Sequence, residues 1–500
     1  MNQDNGGVIG KINTPTTSLA SGVWSLDSQF DSQSSSIWPL AFPQTTIANS
    51  CRFDEGSSDT LTRTPSGAGN RRTWTYSAWH KVEAYTNAKA GRFLVAQTDG
   101  NNLVDFAYGS NGEIYLGIYE GGAWKETTTN AKHRDVSAWY HLVVAVDTTQ
   151  STDSNRVKLY VNGVHQTSLS TSTYPSQNYE TAINNTVSHI IGSYTGNSIY
   201  YNGYMAEVIL IDGQQLLPTS FGAFNPVTNI WEPIAYAGTY GTNGFRLDFA
   251  DSSALGNDVS GNDNDFTANN LTSVDQSTDT CSNNFTTLNP LASGVAIGGS
   301  AGTFTDGNLF FSGASSAWCA TKGTFSVTQG KWYMEAKKTT NANGTSNGQG
   351  AVAVGFAELQ SNLGNDNPQN DSDVYSSILV INDNGWTTNF ANGTQWSTPL
   401  AVNDGDIVGI ALDLDGNNYT FYVNGSQVDT GSLGGGYDGN GLTPCVINYG
   451  GDTREFTCNF GSPSFTISSG NSDANGFGNF EYSVPNGHFS LCSSNLAEFG

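Results

Sequence analysis

HLVVAVDTTQSTDSNRVKLYVNGVHQTSL (residues 141–169) and DIVGIALDLDGNNYTFYVNGSQVDTGSL (residues 406–433) are two stretches of this sequence with the same layout. Each has an apolar run, a polar turn, an alternating strand and the tetrapeptide Tyr-Val-Asn-Gly, at residues 160–163 and 422–425. Asn-Gly suits the two positive-φ positions of a tight β-hairpin turn. The copies are separated by the length of a domain, so the sequence predicts that the chain is built twice from the same kind of β-sandwich.

The composition predicts an all-β protein. The chain of 500 residues contains 58 Gly, 22 Tyr, 25 Phe and 11 Trp, and only 13% of its residues are charged. Aromatic residues favour strands, and Gly with Asn, Ser and Thr between short apolar runs is typical of turns. The Ala-, Leu-, Glu- and Lys-rich windows of long helices are missing. We therefore expect two antiparallel jelly-roll β-sandwiches joined by a loop-rich connector.

The charge of the chain limits its partners, since the formal net charge is −25 at pH 7. Sequence-independent binding to nucleic acid needs clustered Lys and Arg, so we expect no nucleic-acid partner. The acidic surplus has two open explanations, solubility of a Gly-rich β-protein or binding of cations. The first residues lack the regions of a signal peptide, and no run reaches the roughly 20 apolar residues of a membrane span. We expect no membrane insertion and no export by the general route.

Strand-rich and turn-rich stretches divide the chain into five segments. Residues 1–45 hold too few apolar side chains for a core, and we predict an extended arm anchored by Trp24, Trp38 and Phe42. These anchors either dock on a partner or pack against the first sandwich, and the sequence leaves both possibilities open. The other segments are a first sandwich, an Asn-, Asp- and Ser-rich connector, a second sandwich and a C-terminal tail, at residues 46–218, 219–300, 301–462 and 463–500.

Motifs in both sandwiches resemble known families. The first sandwich resembles a laminin-G-like or concanavalin-A-like domain through RFDEGSSDTLTRT, TWTYSAWHKV, WYHLVVAVD, VKLYVNG and YNGYMAEVILIDG. The second resembles a SPRY domain through GKWYMEAKKT, AVAVGFAEL, DNGW, NDGDIVGIALDLDGNNYTFYVNG, VINYG and CNFG. With GGVIGKINTPTTSLASGVWSL near the start and DVSGNDNDFTANN in the connector, nearly the whole chain is similar to virion-associated fibre or appendage proteins of marine tailed bacteriophages.

The resemblance implies a location and partners. A phage appendage is assembled in the cytoplasm of the infected bacterium and ends on the virion surface, where the arm would contact other virion proteins. Fibres of this kind are homo-oligomers, with a trimer as the expected state. Laminin-G-like folds commonly bind glycans, often with calcium, and SPRY folds usually bind peptides or proteins through loops. Fold does not fix function, so a role as a plain spacer remains open for either sandwich.

An Asp-rich run, LDFADSSALGNDVSGNDNDF, is the best cation candidate in the sequence. Calcium takes several oxygen ligands from carboxylates, carbonyls and amides, which closely spaced Asp, Asn and Gly can supply. The spacing does not fit an EF-hand, and the same residue types form Asx-turns without any metal. The sequence leaves both explanations open for Asp248, Asp251, Asp258, Asp263 and Asp265.

Two aromatic clusters are candidates for sugar binding, YTGNSIYYNGY and DNGWTTNFANGTQW. Aromatic faces stack on the apolar side of a pyranose ring, while amides orient its hydroxyls. Packing in the core or at a strand edge is the alternative for both clusters. The candidate residues are Tyr194, Asn197, Tyr200, Tyr201, Asn202, Trp386 and Trp396.

Catalysis is not expected. Glycoside hydrolysis needs paired carboxylates, which in sandwiches of this type usually appear as Glu-x-Asp-x-Glu on a strand, and the sequence has no such run. It also lacks His-x-x-x-His and Glu-x-x-His clusters. The sequence predicts a non-enzymatic virion appendage that attaches to host-surface glycan or to another virion protein through sandwich loops. The rival hypothesis is a purely structural decoration or spacer.

Deletion of residues 1–45 should give a protein that still folds but no longer joins phage particles, because Trp24, Trp38 and Phe42 are lost. Circular dichroism checks folding, and immunoblotting of purified particles checks incorporation. A shorter deletion of residues 1–20 is the control, since it keeps all three aromatic anchors. Normal incorporation of the longer deletion would contradict the docking role.

Overall fold

Short antiparallel strands joined by polar turns make up nearly all the regular structure in the described part of the chain. The computed structural model describes residues 45–83, 91–100, 102–194, 198–226, 228–292, 294–295, 302–312, 318–340, 351–358, 374–381, 386–391, 394–396, 402–433, 439–449 and 454–500. The predicted arm anchors Trp24, Trp38 and Phe42 lie outside these residues. No helix within the described ranges is long and apolar enough to cross a membrane.

The strands fall into an N-terminal and a C-terminal group. The strands of the N-terminal group are β1 (Ser50–Phe53), β2 (Thr60–Arg63), β3 (Thr73–Val82), β4 (Arg92–Asp99), β5 (Asn102–Tyr108), β6 (Ile114–Glu120), β7 (Ala123–Thr129), β8 (Tyr140–Asp147), β9 (Val157–Val161), β10 (Val164–His165), β11 (Leu169–Ser172), β12 (His189–Ile191), β13 (Ser193–Tyr194), β14 (Ser198–Tyr200), β15 (Gly203–Asp212), β16 (Gly222–Phe224), β17 (Trp231–Pro233), β18 (Phe245–Leu247), β19 (Thr267–Asn269) and β20 (Gln276–Ser277).

The strands of the C-terminal group are β21 (Gly294–Val295), β22 (Thr303–Thr305), β23 (Phe310–Ser312), β24 (Trp318–Lys322), β25 (Lys331–Thr340), β26 (Ala351–Glu358), β27 (Val374–Ile381), β28 (Trp386–Ala391), β29 (Thr394–Trp396), β30 (Ile407–Asp413), β31 (Asn418–Val423), β32 (Ser426–Ser432), β33 (Leu442–Tyr449), β34 (Arg454–Asn459) and β35 (Phe489–Ser490). Helical segments in the described ranges are short. They are 3-10 turns at Asp153–Asn155, Pro218–Ser220, Ser273–Asp275 and Pro290–Ala292, and an α-helix, α1, at Ser493–Phe499.

The first sandwich consists of two eight-stranded sheets. Sheet A has the order β10-β9-β8-β3-β15-β1-β20, with β18 also paired to β15, and sheet B has the order β11-β7-β6-β5-β4-β12-β2-β19. The core between them contains Trp74 and Val144 from sheet A and Phe106 and Leu116 from sheet B. Successive side chains of a strand point to opposite faces, so the apolar alternation in the sequence gives each sheet one core face.

The second sandwich repeats this arrangement. Sheet C has seven strands in the order β21-β24-β33-β26-β27-β28-β29, and sheet D has the order β22-β23-β34-β25-β30-β31-β32, with β35 parallel to β25. Buried apolar side chains fill the space between the sheets, including Val354 and Val446 from sheet C and Trp332 and Ile410 from sheet D. The prediction of an all-β protein with two sandwiches is confirmed.

The two Tyr-Val-Asn-Gly turns have the same geometry. Both Asn-Gly pairs have positive φ, 46° and 78° at Asn162 and Gly163, and 49° and 75° at Asn424 and Gly425. Each Asn side chain also accepts a hydrogen bond from the neighbouring strand, Asn162 from the His141 amide at 2.8 Å and Asn424 from that of Ile407 at 3.0 Å. The repeat therefore marks a hairpin tip that is fixed to an adjacent strand in both sandwiches.

The segment at residues 219–300, expected as a connector, differs from that expectation. Its strand β18 pairs with β15 and its strand β20 pairs with β1 in sheet A, and its strand β19 extends sheet B beside β2. The sequence indicates one strand in this segment, at residues 245–249, where β18 lies, whereas β19 and β20 have only three and two residues and show no period among the turn residues. The tail at residues 463–500 is also integrated, because β35 pairs with β25 and the Phe489 ring stacks on the Phe499 ring at 4.0 Å.

The register of sheet B aligns seven residues across its outer face, the face opposite the core. We call this set the outer row. Neighbouring strands pair these residues directly, so their side chains share one face. The outer row is Glu126, Gly117, Asp105, Val95, Ile190, Thr62 and Thr267.

A buried ion pair holds sheet A against the segment that leads to the second sandwich. The Lys81 ammonium lies 2.7 Å from the Asp279 carboxylate and also donates to the Asn284 side chain at 2.8 Å. The other oxygen of Asp279 accepts from the Trp139 indole at 3.0 Å. Both charged side chains are at most 2% exposed. The pair is therefore fully desolvated and depends on these hydrogen bonds for compensation.

Further polar contacts join the two sandwiches directly. The Tyr204 hydroxyl donates to the Gly307 carbonyl at 3.0 Å, and the Gly307 amide donates to the Glu83 carboxyl at 3.2 Å. The Arg52 guanidinium donates to the Pro463 carbonyl at 3.2 Å. Burial raises the pKa of Glu83 to about 8. The junction is thus polar and buried, and it carries a carboxyl that stays protonated near neutral pH.

Replacing Lys81 by Ala should lower the free energy of unfolding by about 3–5 kcal/mol, because Asp279 would remain buried without its cation. Urea denaturation of the full chain measures the change. Lys132→Ala is the matched control, since the Lys132 ammonium pairs with Glu113 at 3.4 Å from a 43% exposed side chain. That change should cost at most about 1 kcal/mol. Equal effects of the two substitutions would contradict the importance of the buried pair.

Stability should also fall as pH rises from about 4.5 to about 8, the interval between the ordinary pKa of a Glu and the raised pKa of Glu83. In that interval the unfolded chain releases the proton while the folded protein retains it, so rising pH favours unfolding, and the effect ends above the folded pKa. Thermal unfolding across pH measures the slope, which Glu83→Gln should reduce. Glu55→Gln, at an exposed position, is the control, and an unchanged slope in Glu83→Gln would contradict the assignment.

Candidate functional site

The loop at residues 258–265 is organised by one carboxylate. Asp258 is buried, and its Oδ1 accepts from the amides of Arg246 at 2.9 Å and Ser260 at 2.8 Å. Its Oδ2 accepts from the Ser260 hydroxyl and the Asn264 amide, both at 2.8 Å. With four hydrogen bonds to one side chain, Asp258 acts as an internal scaffold for a loop that has no regular strand pairing.

Hydrogen bonds also hold residues that follow Asp258 in this loop. The Asp265 carboxylate accepts from the Asp258 amide at 2.8 Å. The Asn264 side chain donates to the carbonyls of Thr242 at 3.0 Å and Gly244 at 2.8 Å. Asp263 has a φ of 56°, a left-handed conformation that Asp and Asn tolerate better than most residues. The loop therefore carries Asp263, Asn264 and Asp265 on a fixed backbone.

These three residues line a cavity of about 440 Å³ at the β2–β19 edge of sheet B. The other lining residues come mainly from β2 and from the start of β19, and most are hydroxyl side chains. The full lining is Thr62, Arg63, Thr64, Ser66, Ser188, Asp263, Asn264, Asp265 and Thr267. We call this cavity the polar pocket. Its hydroxyls, carboxylates, amide and guanidinium form a set of hydrogen-bond donors and acceptors that matches a hydroxyl-rich ligand.

Arg63 supplies the positive charge of the polar pocket. Its guanidinium donates to the Asn264 side chain, which orients it. Burial lowers the pKa of Arg63 from its ordinary value, and the carboxylates of Asp258 and Asp265 oppose that shift. Arg63 therefore stands between acidic groups, and the polar pocket holds charges of both signs.

His189, which pairs with Arg63 across the β2–β12 register, does not add a titrating charge near neutral pH. Its Nε2 accepts from the Asn184 amide at 3.0 Å, and its Nδ1 lies 2.9 Å from the Val187 carbonyl. This arrangement fits a neutral ring with the proton on Nδ1. Burial lowers the pKa of His189 to about 4. The ring therefore stays neutral through the physiological range.

The five aspartates considered as a calcium site do not converge. Asp248 accepts from the Ala250 amide at 3.1 Å, and Asp251 accepts from the amide of Ser253 at 2.9 Å and its hydroxyl at 2.6 Å. The Asp258 carboxylate already accepts four hydrogen bonds, while Asp263 and Asp265 line the polar pocket. Within the described ranges, no three His, Cys, Asp or Glu side chains are arranged to hold a metal ion. Asp248, Asp251 and Asp258 each accept from the amide two residues further on, which is the Asx-turn contact.

The tyrosine cluster proposed for sugar binding is divided by the fold. Tyr201 is completely buried and donates to the carbonyls of Lys81 at 3.3 Å and Tyr204 at 3.1 Å, so it is a core residue. The Asn202 side chain accepts from the Glu55 amide in a turn contact. Tyr194 and Tyr200 are half-buried on the paired strands β13 and β14.

Tyr194 lies over the outer face of sheet B, next to Arg92 of β4. The guanidinium carbon of Arg92 lies 5.1 Å from the centre of the Tyr194 ring, within the range of a cation–π contact. Arg92 is itself buried and paired with Asp105 at 2.8 Å. Asn197 lies outside the described residues.

The second aromatic cluster lies at the edge of sheet C. Trp386 pairs in register with Ile381 and Trp396 with Asn389, on the neighbouring strands β28 and β29. Their side chains lie outside the described part of the structure. They remain a sequence prediction.

Sequence analysis missed most residues of the polar pocket. Thr62, Arg63, Ser188 and Thr267 come from three separate strands or strand ends, so nothing in the local sequence links them. Only the Asp-Asn-Asp run at residues 263–265 was singled out, and for a different chemistry. The RTPSG turn after β2 was a weak local signal, because it predicts an exposed loop at a strand end.

Comparisons with known proteins agree with the architecture of the first sandwich. A family model described as the concanavalin A-like lectin/glucanases superfamily matches residues 55–214. Three solved structures illustrate the structural likeness. They are the SPRY domain of human HERC1 (16% identity, 34% of this chain and 96% of that chain, TM-score 0.27), the TRIM65 PSpry domain (17%, 35% and 91%, 0.26) and a heptameric SAP-like pentraxin from Limulus polyphemus (16%, 35% and 75%, 0.24). A search of curated proteins found no match.

Proposed function

We propose that this protein is a non-enzymatic attachment protein of a tailed-phage virion and that its first sandwich binds host-surface glycan in the polar pocket. The observation that carries the glycan-binding part is the lining of that pocket, where hydroxyl, amide, carboxylate and guanidinium groups meet on a concanavalin-A-like sandwich. Sugar recognition needs many directed hydrogen bonds, and a rigid lining reduces the entropy lost on binding. The virion location is supported by the sequence resemblance.

A neutral glycan is the ligand that suits the charge of the protein. The chain carries a net charge of −25, which repels acidic polysaccharides over a long range. The polar pocket is lined by one guanidinium, that of Arg63, and by the carboxylates of Asp263 and Asp265. Carboxylates accept hydrogen bonds from sugar hydroxyls, whereas they repel a uronate or phosphate group. The proposed ligand is therefore a neutral, hydroxyl-rich saccharide.

Binding without hydrolysis is supported by the state of the nearest acidic pair on the outer row. Asp105 and Glu126 lie on the same face two strands apart, which is a spacing that could suit paired carboxylates. Asp105, however, is fully buried and holds the Arg92 guanidinium at 2.8 Å. A carboxylate held in this way is not available to a substrate.

Attachment would gain strength from the number of copies on the particle. Weak sites that are linked on one particle bind with an avidity far above that of a single site. We propose that residues 1–45 dock each copy on other virion proteins and that the copies form a homo-oligomer, with a trimer as the expected state. The proposed location is the virion surface, after assembly in the host cytoplasm.

A structural decoration or spacer is the second candidate function, and one observation favours it. The buried polar contacts of Glu83 and Tyr204 fasten the first sandwich to the second, and those of Lys81 and Arg52 fasten it to the adjoining segments. Such a junction would suit a stiff element whose purpose is to separate other parts of a virion. A spacer needs no ligand, so a binding experiment distinguishes the two functions.

The test is binding of the purified full-length protein, displayed on beads, to a panel of neutral and acidic bacterial surface polysaccharides. We expect saturable binding to neutral members, equal in calcium and in chelator because Asp258 and Asp265 already accept hydrogen bonds within the loop. Arg63→Ala should weaken it roughly tenfold, the effect of losing hydrogen bonds from a charged group. Arg134→Ala, an exposed arginine away from the pocket, is the matched control.

Several results would count against the proposal. Absence of binding to every polysaccharide, even on beads, would favour the spacer. Release of new reducing ends from a bound polysaccharide would show an enzyme. Equal loss in Arg63→Ala and Arg134→Ala would exclude the polar pocket as the site, provided that both variants unfold at the temperature of the unmodified protein.

A further inference from the structure

A group of aromatic side chains lies at the other end of the sheet B face that carries the polar pocket. Tyr119 and Trp124 are directly paired on β6 and β7, with ring centres 5.1 Å apart. Tyr115 is on the same face of β6, four residues before Tyr119, and its ring centre lies 6.5 Å from that of Trp124. Tyr119 and Trp124 are half-buried, so part of each residue is exposed. We call these two residues the aromatic platform.

Gly117 gives the aromatic platform its shape. It belongs to the outer row, between Tyr115 and Tyr119 on β6. A Cβ atom at this position would lie 2.0 Å from the Tyr115 hydroxyl and 2.8 Å from a ring carbon of Trp124. Both side chains therefore bend over Gly117 and occupy the space that a larger residue would fill. The glycine lets the indole lie close to the sheet with its remaining surface outward.

Polar groups border the aromatic platform. The Tyr115 hydroxyl donates to the Glu126 carboxylate at 3.3 Å, and Glu126 is itself half-buried beside Trp124 on the same face. An aromatic surface next to a carboxylate and a phenol matches a sugar ring, which has an apolar face and hydroxyls around its edge. An aromatic ligand without hydroxyls would leave these polar groups without a new partner.

The outer row runs from the aromatic platform to the polar pocket, and its central residues Asp105 and Val95 are completely buried, so a ligand that reaches both ends passes above them. Gly117 on β6 and Thr62 on β2 are four strands apart in sheet B, a distance of about 19 Å at the usual strand spacing. Tyr194, whose ring lies over Arg92 of β4, is located between them. The face therefore carries a polar site at one end and an aromatic site at the other. That separation exceeds the size of a single sugar unit.

We propose that Tyr119 and Trp124 form a second subsite that stacks on a sugar ring of the same extended neutral glycan whose hydroxyls occupy the polar pocket. This inference rests on the proposed function and specifies its ligand, an internal stretch of a polysaccharide chain rather than a terminal sugar. A ligand that reaches both the polar pocket and the aromatic platform gains binding free energy at each, but it loses its translational freedom only once. Short saccharides occupy one end and bind more weakly.

The experiment is a calorimetric titration of the full-length protein with neutral oligosaccharides cut from bacterial surface polysaccharides, in a series from disaccharide to octasaccharide. The unmodified protein should bind long members more tightly than short ones. Trp124→Ala should weaken the longest members roughly threefold to tenfold, the range of an aromatic stacking contact, and leave pocket-bound short members unchanged. Trp124→Phe, which keeps an aromatic face, should retain most of the affinity.

Two further variants separate stacking from a general effect on the fold. Gly117→Ala keeps Trp124 but displaces it, so it should show the same loss for long members only. Phe224→Ala removes a 45% exposed aromatic ring from the β16–β17 hairpin, outside sheet B, and should change nothing.

The titrations distinguish a failure of the second subsite from a failure of the polar pocket. If short members bind through Arg63 and Trp124→Ala has no effect on long members, the second subsite is wrong and the polar pocket stands. If affinity does not rise with length, the extended ligand is wrong. If no oligosaccharide binds, both proposals fail.

Discussion

The register of sheet B is the constraint on which the functional surface of this protein depends. Antiparallel pairing sends alternate residues to opposite faces, so a shift of one residue in any strand would exchange core and surface. With the observed register, Leu61 and Leu116 pack in the core, while Thr62 and Gly117 lie in the outer row. The polar pocket and the aromatic platform share a face for this reason.

The junction between the sandwiches is a different kind of constraint, since it is built from buried polar groups rather than from apolar packing. Lys81 and Asp279 compensate each other at 2.7 Å, whereas burial raises the pKa of Glu83 to about 8. Desolvated groups are costly unless they are fully hydrogen-bonded. The cost makes the arrangement specific, because few alternative orientations of the segments would satisfy the same donors and acceptors.

The loop at residues 258–265 has a composition that fits either a calcium site or a set of Asx-turns. Clustered Asp, Asn and Gly are typical both of calcium loops and of Asx-turns, and spacing did not decide between them. In the folded chain Asp258 accepts four hydrogen bonds from its own loop and its neighbouring strand. Its role is to fix the backbone that presents Asp263 and Asp265 to the polar pocket.

The sequence by itself determined the all-β class, the two sandwiches and the two hairpin tips, because alternation and Asn-Gly chemistry act within a few residues. It could not show that β19 and β20 join the first sandwich, since strands of two or three residues have no measurable period. The tertiary structure alone decided that Tyr201 is in the core and that Arg63 and Asp265 line the same pocket. Such sites arise from strand order and register between distant segments, which local patterns do not encode.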